Sequence, residues 1–311
     1  MNLLVALLNG VVYGLLLFMV SSGLTLVFGM MGVLNFAHAS FYMLGAFAGF
    51  VASKYLGFWW GLLAATLFVG LAGLAAERGL LARVRRFGHT HELLLTFGLA
   101  FVIQEGVKLL FGPLPVAYRI PEELRQAAFT LGGVPYPWFR VVIGGVALLM
   151  FVVLYAILGL TRIGIVIRAA VQAPQMVAAL GHNVPVVFSG LFAVGVAMAG
   201  LGGAVSGVFY PTSSTMAVEL GSIVFVVVVV GGLGSLNGAL AASLLVGLLT
   251  SFAVSIDVSL GDLGRALGMA VDPDARGMAA LSLSSIAGVL PYALMLVVLL
   301  FRPGGLAGGR L

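Results

Sequence analysis

The chain has 311 residues, 62% of them hydrophobic and 8% charged, with a mean hydropathy of +1.20. An ordinary soluble domain carries about 25% charged residues, so too little polar surface exists to cover a soluble globule, and the chain reads as an integral membrane protein. The formal charge of +5 sits in basic residues beside apolar spans, where it sets orientation rather than binding nucleic acid. The absence of cysteine excludes disulfides, thiolate metal sites and thiol nucleophiles.

A bilayer core takes about 20 apolar residues as a helix. On that ruler, spans fall near Leu3–Gly29, Ala39–Ser53, Phe58–Ala76, Leu93–Phe111, Phe139–Leu160, Val186–Phe209, Leu220–Gly232, Ala239–Ile256 and Ser285–Phe301. The short ones read as half-spans. The opening MNLLVALLNGVVYGLLLFMV lacks a basic region and a small-residue cleavage site, so it reads as the first span and not as a signal peptide. The predicted fold is all-α: a polytopic transmembrane bundle of about eight to ten spans, with broken or half helices and an internal repeat. A single domain, 1–311, is expected, with repeat-like halves of roughly 1–135 and 136–311. Alternating spans put Arg78, Arg83, Arg85, Arg86, Arg162, Arg168, Arg302 and Arg310 on one side, which the positive-inside rule makes cytoplasmic. The C-terminus is then cytoplasmic as well.

The first span ends in a break, and the break has an echo. Gly29, Gly32, Leu34, Asn35, Ala37 and Ala39 align with Gly231, Gly234, Leu236, Asn237, Ala239 and Ala241 at a constant offset of 202 residues, and Gly45 continues onto Gly247. Each copy reads as a helix stop followed by a helix start. Glycine weakens a helix by about 1 kcal/mol relative to alanine, and Asn is a strong N-cap for the helix that follows. In hydrocarbon, broken backbone is tolerated only where protein buries it or where it lines a watery cavity. Glycine-interrupted segments at matching positions of two halves point to a transport pathway. Gly29, Gly32, Asn35, Phe36, His38, Gly231, Gly234, Ser235 and Asn237 are therefore the expected pathway residues. Both breaks are expected near the cytoplasmic face, so an ordinary turn between spans fits them too. For His38 alone, a hydrogen-bonded packing role is the plainer reading. It has no second His or acid at ligand spacing, so no metal site is expected.

Few other polar residues fall in the spans. Glu105 and Lys108, three apart on one helix face, are expected to pair or snorkel near the outer end. Glu219 reads as an acid at a helix N-terminus. Two external loops are long: one from Gly112, rich in Pro and Gly and read as a lid or rim, and one from Asp257 to Ser284. Either is a surface for an extracytoplasmic partner or simply a solvated connector.

In IRAAVQAPQMVAALGHNV, from Ile167, Pro174 starts a short helix that Gly181 ends. Such a helix lying along the membrane can dock into a partner's groove. This stretch, together with GLTLVFGMMGVLNFAHASFYMLGAF and VVVVVGGLGSLNGALAASLLVG, resembles the permease subunits of branched-chain amino-acid ABC importers, in that family's order and spacing. The resemblance covers nearly the whole chain; Ala39 stands where the family often has Gly. It implies a half-pore in a bacterial inner membrane, embedded in lipid. The implied partners are a homologous second permease, two cytoplasmic ATPase subunits that bind the ATP, and a periplasmic substrate-binding protein. It also implies that Pro174, Gln175, Ala178, Ala179, Leu180 and Gly181 form the ATPase coupling helix, so that Gly181→Trp would uncouple hydrolysis from uptake.

The chain has no G-x-x-x-x-G-K-[ST] and cannot bind ATP by a P-loop. It is expected to be a transport subunit without enzymatic activity or a cofactor of its own. A passive channel or secondary transporter for a small neutral solute such as urea is the rival reading. Coupling charges at membrane depth would favour it, and only His38 and the Glu105/Lys108 pair are candidates. An intramembrane serine protease would need Ser235 and His38 together, but Ser235 lies outside a G-x-S-x-G elbow.

Overall fold

The computed structural model describes residues 3–307, apart from 33, 119, 257, 260, 263, 264, 266, 267 and 269–281. Arg310 and most of the expected Asp257–Ser284 loop lie outside the described residues. Each of the nine expected spans falls on a helix. In chain order these are α1 (Leu3–Met31), α2 (His38–Leu56), α3 (Phe58–Ala76), α4 (His89–Phe111) and α5 (Trp138–Leu160). The short helices α6 (Arg162–Gln172) and α7 (Pro174–Ala179) follow, then α8 (Val184–Ser206), α9 (Met216–Gly231), α10 (Leu236–Ser255) and α11 (Leu290–Phe301). Six helical segments are long and apolar enough to cross a membrane, and α9 and α11 are shorter apolar helices. The architecture is a polytopic helical bundle.

Several expected boundaries move by a turn or so, α4 opening at His89 rather than Leu93 among them. α9 opens at Met216, a turn before the expected Leu220. α11 opens at Leu290 and not Ser285, because Pro291 fits only the first helical turn, and residues 283–289 coil ahead of it.

Glycine determines which helices meet. With no hydrophobic force between helices in lipid, close backbone approach through small residues drives packing. A Cβ on Gly14 of α1 would lie 2.8 Å from Leu244 Cα of α10, and one on Gly195 of α8 would lie 2.9 Å from Gly23 O of α1. One on Gly45 of α2 would lie 2.5 Å from Gly200 Cα. α1 and α8 thus form the centre, flanked by α10 and α2. α4, α5 and α11 lie outside and leave many of their apolar side chains uncovered.

Arg78, Arg83, Arg85, Arg86, Arg162, Arg168 and Arg302 gather at one end of the bundle, where α3 gives way to α4, α5 to α6, and α11 ends. The opposite end carries the expected rim. It holds a one-turn helix, Glu122–Arg125, and a hairpin of β1 (Ala127–Leu131) and β2 (Val134–Pro137). Its N-terminal part is tied to the α8–α9 loop, as Val116 N–H donates to Thr212 O at 2.9 Å. In the second outer loop, Ser259 donates its N–H and hydroxyl to Asp262, whose N–H returns a bond to Ser259 Oγ. Those bonds, the backbone one first, hold the Asp262 carboxyl below the usual carboxylate range.

Candidate functional site

The two sides of the first break lie at different depths: its stop, at Gly29, packs on Gly234 at the arginine end, whereas the helix start that follows it lies deeper. After α1 ends at Met31, the chain doubles back, and His38 Nε2 lies 2.9 Å from Val20 O. Val20 is eleven residues short of the end of α1, about 16 Å along a helix. In a core about 30 Å thick, α2 therefore begins near mid-depth. The expectation that both breaks sit near one face is corrected for the helix start of this one. The sequence marks where a helix stops but not that the following residues climb back beside it.

Three bonds hold this start in place. Asn35 Oδ1 accepts the Ala37 N–H at 3.1 Å, and Asn35 O accepts the His38 N–H at 3.1 Å. Phe36 N–H donates to Thr96 Oγ1 of α4 at 3.3 Å. Asn35 thus orders the turn before α2 from just outside the helix. Because Val20 O can only accept, His38 Nε2 carries the proton and Nδ1 is left bare. His38 is a hydrogen-bonded packing residue, as its plainer reading holds, yet it also faces open space. Asn35 Nδ2 and His38 Nδ1 are both buried without a partner among the described residues, at 3% and 1% residue exposure. A buried polar atom left unpaired is costly, and such atoms mark places where a ligand or water completes the bonding.

Asn35, Phe36 and His38 line a half-enclosed cavity of about 450 Å³. Ser40 of α2, Phe97, Phe101 and Gln104 of α4, and Gly221, Ser222 and Phe225 of α9 complete it, with Tyr292 of α11 at its edge. The lining is apolar, with a few polar groups clustered at the start of α2. That is the usual composition of a small-molecule site. Ser40, Gln104 and Ser222 were not anticipated; single polar residues in apolar helices carry no spacing signal.

The second break is different. Gly231 packs on Gly238, and a Cβ on Gly29 would lie 2.8 Å from Gly234 Cα. Residues 232–235 make a tight turn, which the C-terminal segment covers: Leu306 N–H donates to Val230 O at 2.8 Å and Ala307 N–H to Gly231 O at 3.1 Å. Ser235, not Asn237, caps α10, its Oγ accepting the Gly238 N–H at 3.1 Å. The expected Asn237 cap is corrected, since Asn237 already lies inside the helix. Gly29, Gly234, Ser235 and Asn237 line a separate cavity of about 190 Å³ beside Tyr155 and Arg168. The nine expected pathway residues thus divide between two places. Gly32, at φ 66°, belongs to the first break and touches neither cavity lining.

At the arginine end, α7 runs Pro174–Ala179 with Pro in its first turn. Val177 alone is buried, against Ala170 and Val184. Pro174, Gln175, Ala178, Ala179, Leu180 and Gly181 are exposed, Leu180 at 78%. Gly181 sits at φ 88°, which side chains avoid at a cost of about 1–2 kcal/mol. Gly181→Trp would therefore strain the turn itself and cannot isolate docking. α8 follows directly, and its Ser189 donates to Glu77 Oε2 at the end of α3. Glu77 also meets Arg85 Nη2 at 2.9 Å, and Arg85 Nε meets Glu92 of α4 at 3.3 Å. Both acids are almost fully buried. Sequence reading missed this cluster because Glu77 and Glu92 look like ordinary loop-edge charges. The expected Glu105–Lys108 pair is present at 3.4 Å, exposed on α4.

The family profile for the permease component of the branched-chain amino acid transport system matches residues 6–299. The high-affinity branched-chain amino acid transport system permease protein LivH of Escherichia coli K12 is 29% identical, over 96% of this chain and 94% of its own. BraD of Pseudomonas aeruginosa, a permease protein of the same description, is 26% identical over 97% and 94%. A probable LivH of Methanocaldococcus jannaschii is 25% identical over 77% and 78%. No solved structure matches the chain. The chain, an apolar bundle whose second helix starts beside the first, is matched along its length by this profile and belongs to the branched-chain amino acid transport system permease family.

Proposed function

We propose that the chain is the transmembrane permease subunit of an ATP-binding-cassette importer, moving branched-chain or similar hydrophobic amino acids into the cytoplasm by alternating access. The observation that carries this is the start of α2 at mid-depth, beside an apolar cavity, with Asn35 Nδ2 and His38 Nδ1 unpaired. Irregular backbone at that depth is the signature of a binding site in a transporter. The arginine end is the cytoplasmic one. There α7 presents an exposed apolar knob to an ATPase subunit. The uncovered faces of α4 and α11, which border the cavity, meet a homologous second permease. A periplasmic binding protein docks at the hairpin end and supplies selection. ATP is bound by the partners.

Two measurements test this reading. Deleting the gene for this chain is expected to abolish leucine uptake, and restoring it to recover uptake that stops on ATP depletion. Uptake that persists without ATP and follows the gradient would favour a channel instead. Asn35→Leu keeps side-chain size but removes the amide. It is expected to lower uptake about tenfold or more, the worth of one hydrogen bond to a charged group, with the amount of chain in the membrane unchanged.

A further inference from the structure

A third cavity, of about 440 Å³, opens at the hairpin end. Tyr13, Tyr42, Tyr210, Ser213, Thr215 and Glu219 line it. It rests on the short helix α9. Sixteen residues make about 24 Å of helix, less than the roughly 30 Å of a bilayer core. The Gly231 end lies in the turn at the arginine end, so the other end stops inside the membrane. A direct measure agrees: a Cβ on Gly221 would lie 3.0 Å from the Cβ of Ala39, in the first turn of α2. The first turn of α2 is therefore level with the second turn of α9, and the start of α9 at Met216 lies about 7 Å further toward the hairpin end. Glu219, in the first turn of α9, lies about 18 Å from Gly231 along the axis.

Among the described residues, no basic side chain lies within 4 Å of the Glu219 carboxylate. Arg140, at the start of α5, is engaged by Asn9 Oδ1 at 2.5 Å and by the rings of Tyr136 and Phe209. The favourable N-terminal dipole of α9 explains why an acid is tolerated here. It does not explain why an ionisable side chain faces a cavity at membrane depth, where such groups are expensive and mark solute paths. Tyrosine faces attract cations, and Tyr13 and Tyr210, edge to face with ring centroids 6.3 Å apart, line the same cavity as Glu219.

We infer that Glu219, with Tyr13 and Tyr210, forms an outer subsite for the α-ammonium group of the solute. This rests on the proposed import function and narrows the substrate to ammonium-bearing molecules. It disfavours simple carboxylic acids, which the carboxylate repels, and urea, which carries no charge for it to hold. The solute leaving the binding protein would anchor its ammonium here, with its apolar side chain toward Leu220 and Ile223.

The chain has no cysteine, so one introduced thiol reports on the cavity. Thr215→Cys is labelled with a maleimide in membranes holding the complete importer. L-leucine and L-leucinamide, which both carry the ammonium, are expected to slow labelling; 4-methylpentanoate, which lacks it, is not. Protection is expected to vanish in Glu219→Gln and to survive in Glu219→Asp, which a helix-dipole role alone would not produce. Glu219→Gln in the otherwise unaltered chain is expected to lower leucine uptake about tenfold, the loss of one charge-assisted contact. Equal protection by 4-methylpentanoate, protection that persists in Glu219→Gln, or no protection by any of the three would overturn the subsite. Those outcomes leave the import reading intact as long as deleting the chain still abolishes ATP-dependent uptake. If uptake survives deletion, the import reading is what fails.

Discussion

Arg85 holds two buried acids from two different helices. Its guanidinium is about a third exposed, whereas Glu77 and Glu92 are not. Removing it strands two carboxylates in a region of low polarity. Breaking a buried pair costs about 3–5 kcal/mol, and partial exposure of Arg85 discounts that, so Arg85→Ala is expected to cost about 1–3 kcal/mol. A lowered thermal midpoint of the purified assembly checks it. Adding Glu77→Gln and Glu92→Gln to Arg85→Ala should recover part of the loss, because the orphaned charges go with them. An unchanged midpoint for the single variant would mean that water already reaches both acids. The cluster also joins α8, and through it α7, to α3 and α4 by the Ser189 hydroxyl. A displacement of α7 therefore has a polar handle on the helices that line the cavity.

At the scale of the element, α7 separates anchoring from docking by one residue. Val177 faces inward; Met176 and Leu180 face out. Leu180→Asp is expected to leave the chain in the membrane at its normal level while uptake falls, since it changes only the exposed knob proposed to dock an ATPase subunit. Val177→Asp buries a charge and is expected to lower the level of the chain itself. Quantifying chain and uptake side by side in both variants checks the division, and equal behaviour of the two would contradict it. The position of α7 was readable from Pro174 and Gly181, because those residues act through local backbone geometry. Its facing was not, because Val177 and Leu180 are equally apolar and only packing against Ala170 and Val184 distinguishes them. The same limit applies to the breaks. Gly29, Gly32, Gly231 and Gly234 mark two stops alike, yet one leads back up along α1 and the other into a capped turn. That difference lies in the long-range bonds of His38 to Val20 and of Phe36 to Thr96.

For the whole molecule, composition alone dictated a membrane bundle, and a 20-residue ruler placed nine segments that each fall on a helix among the described residues, because hydrocarbon thickness is a physical constant of the solvent. The ruler could not distinguish a helix that crosses from one that begins half-way. Sidedness is open to direct measurement in a chain without native thiols. A Cys replacing Thr90, beside the arginines, should react with an impermeant maleimide only after the membrane is opened, and one replacing Ala117 should react from outside in intact cells. The reverse pattern would invert every assignment of inside and outside made above. The two internal helix starts have an electrical consequence. Leu24 lines the cavity over α2, Tyr42, Met216 and Leu220 line the one beside Glu219, and all four belong to one apolar cluster, so on the import reading a passenger moving from one cavity to the other goes past this layer. A passenger with one net charge would feel about 2.3 kcal/mol over the whole crossing for every 100 mV. A zwitterion feels almost nothing, so its uptake is expected to run at the same rate in energised and depolarised cells at equal ATP.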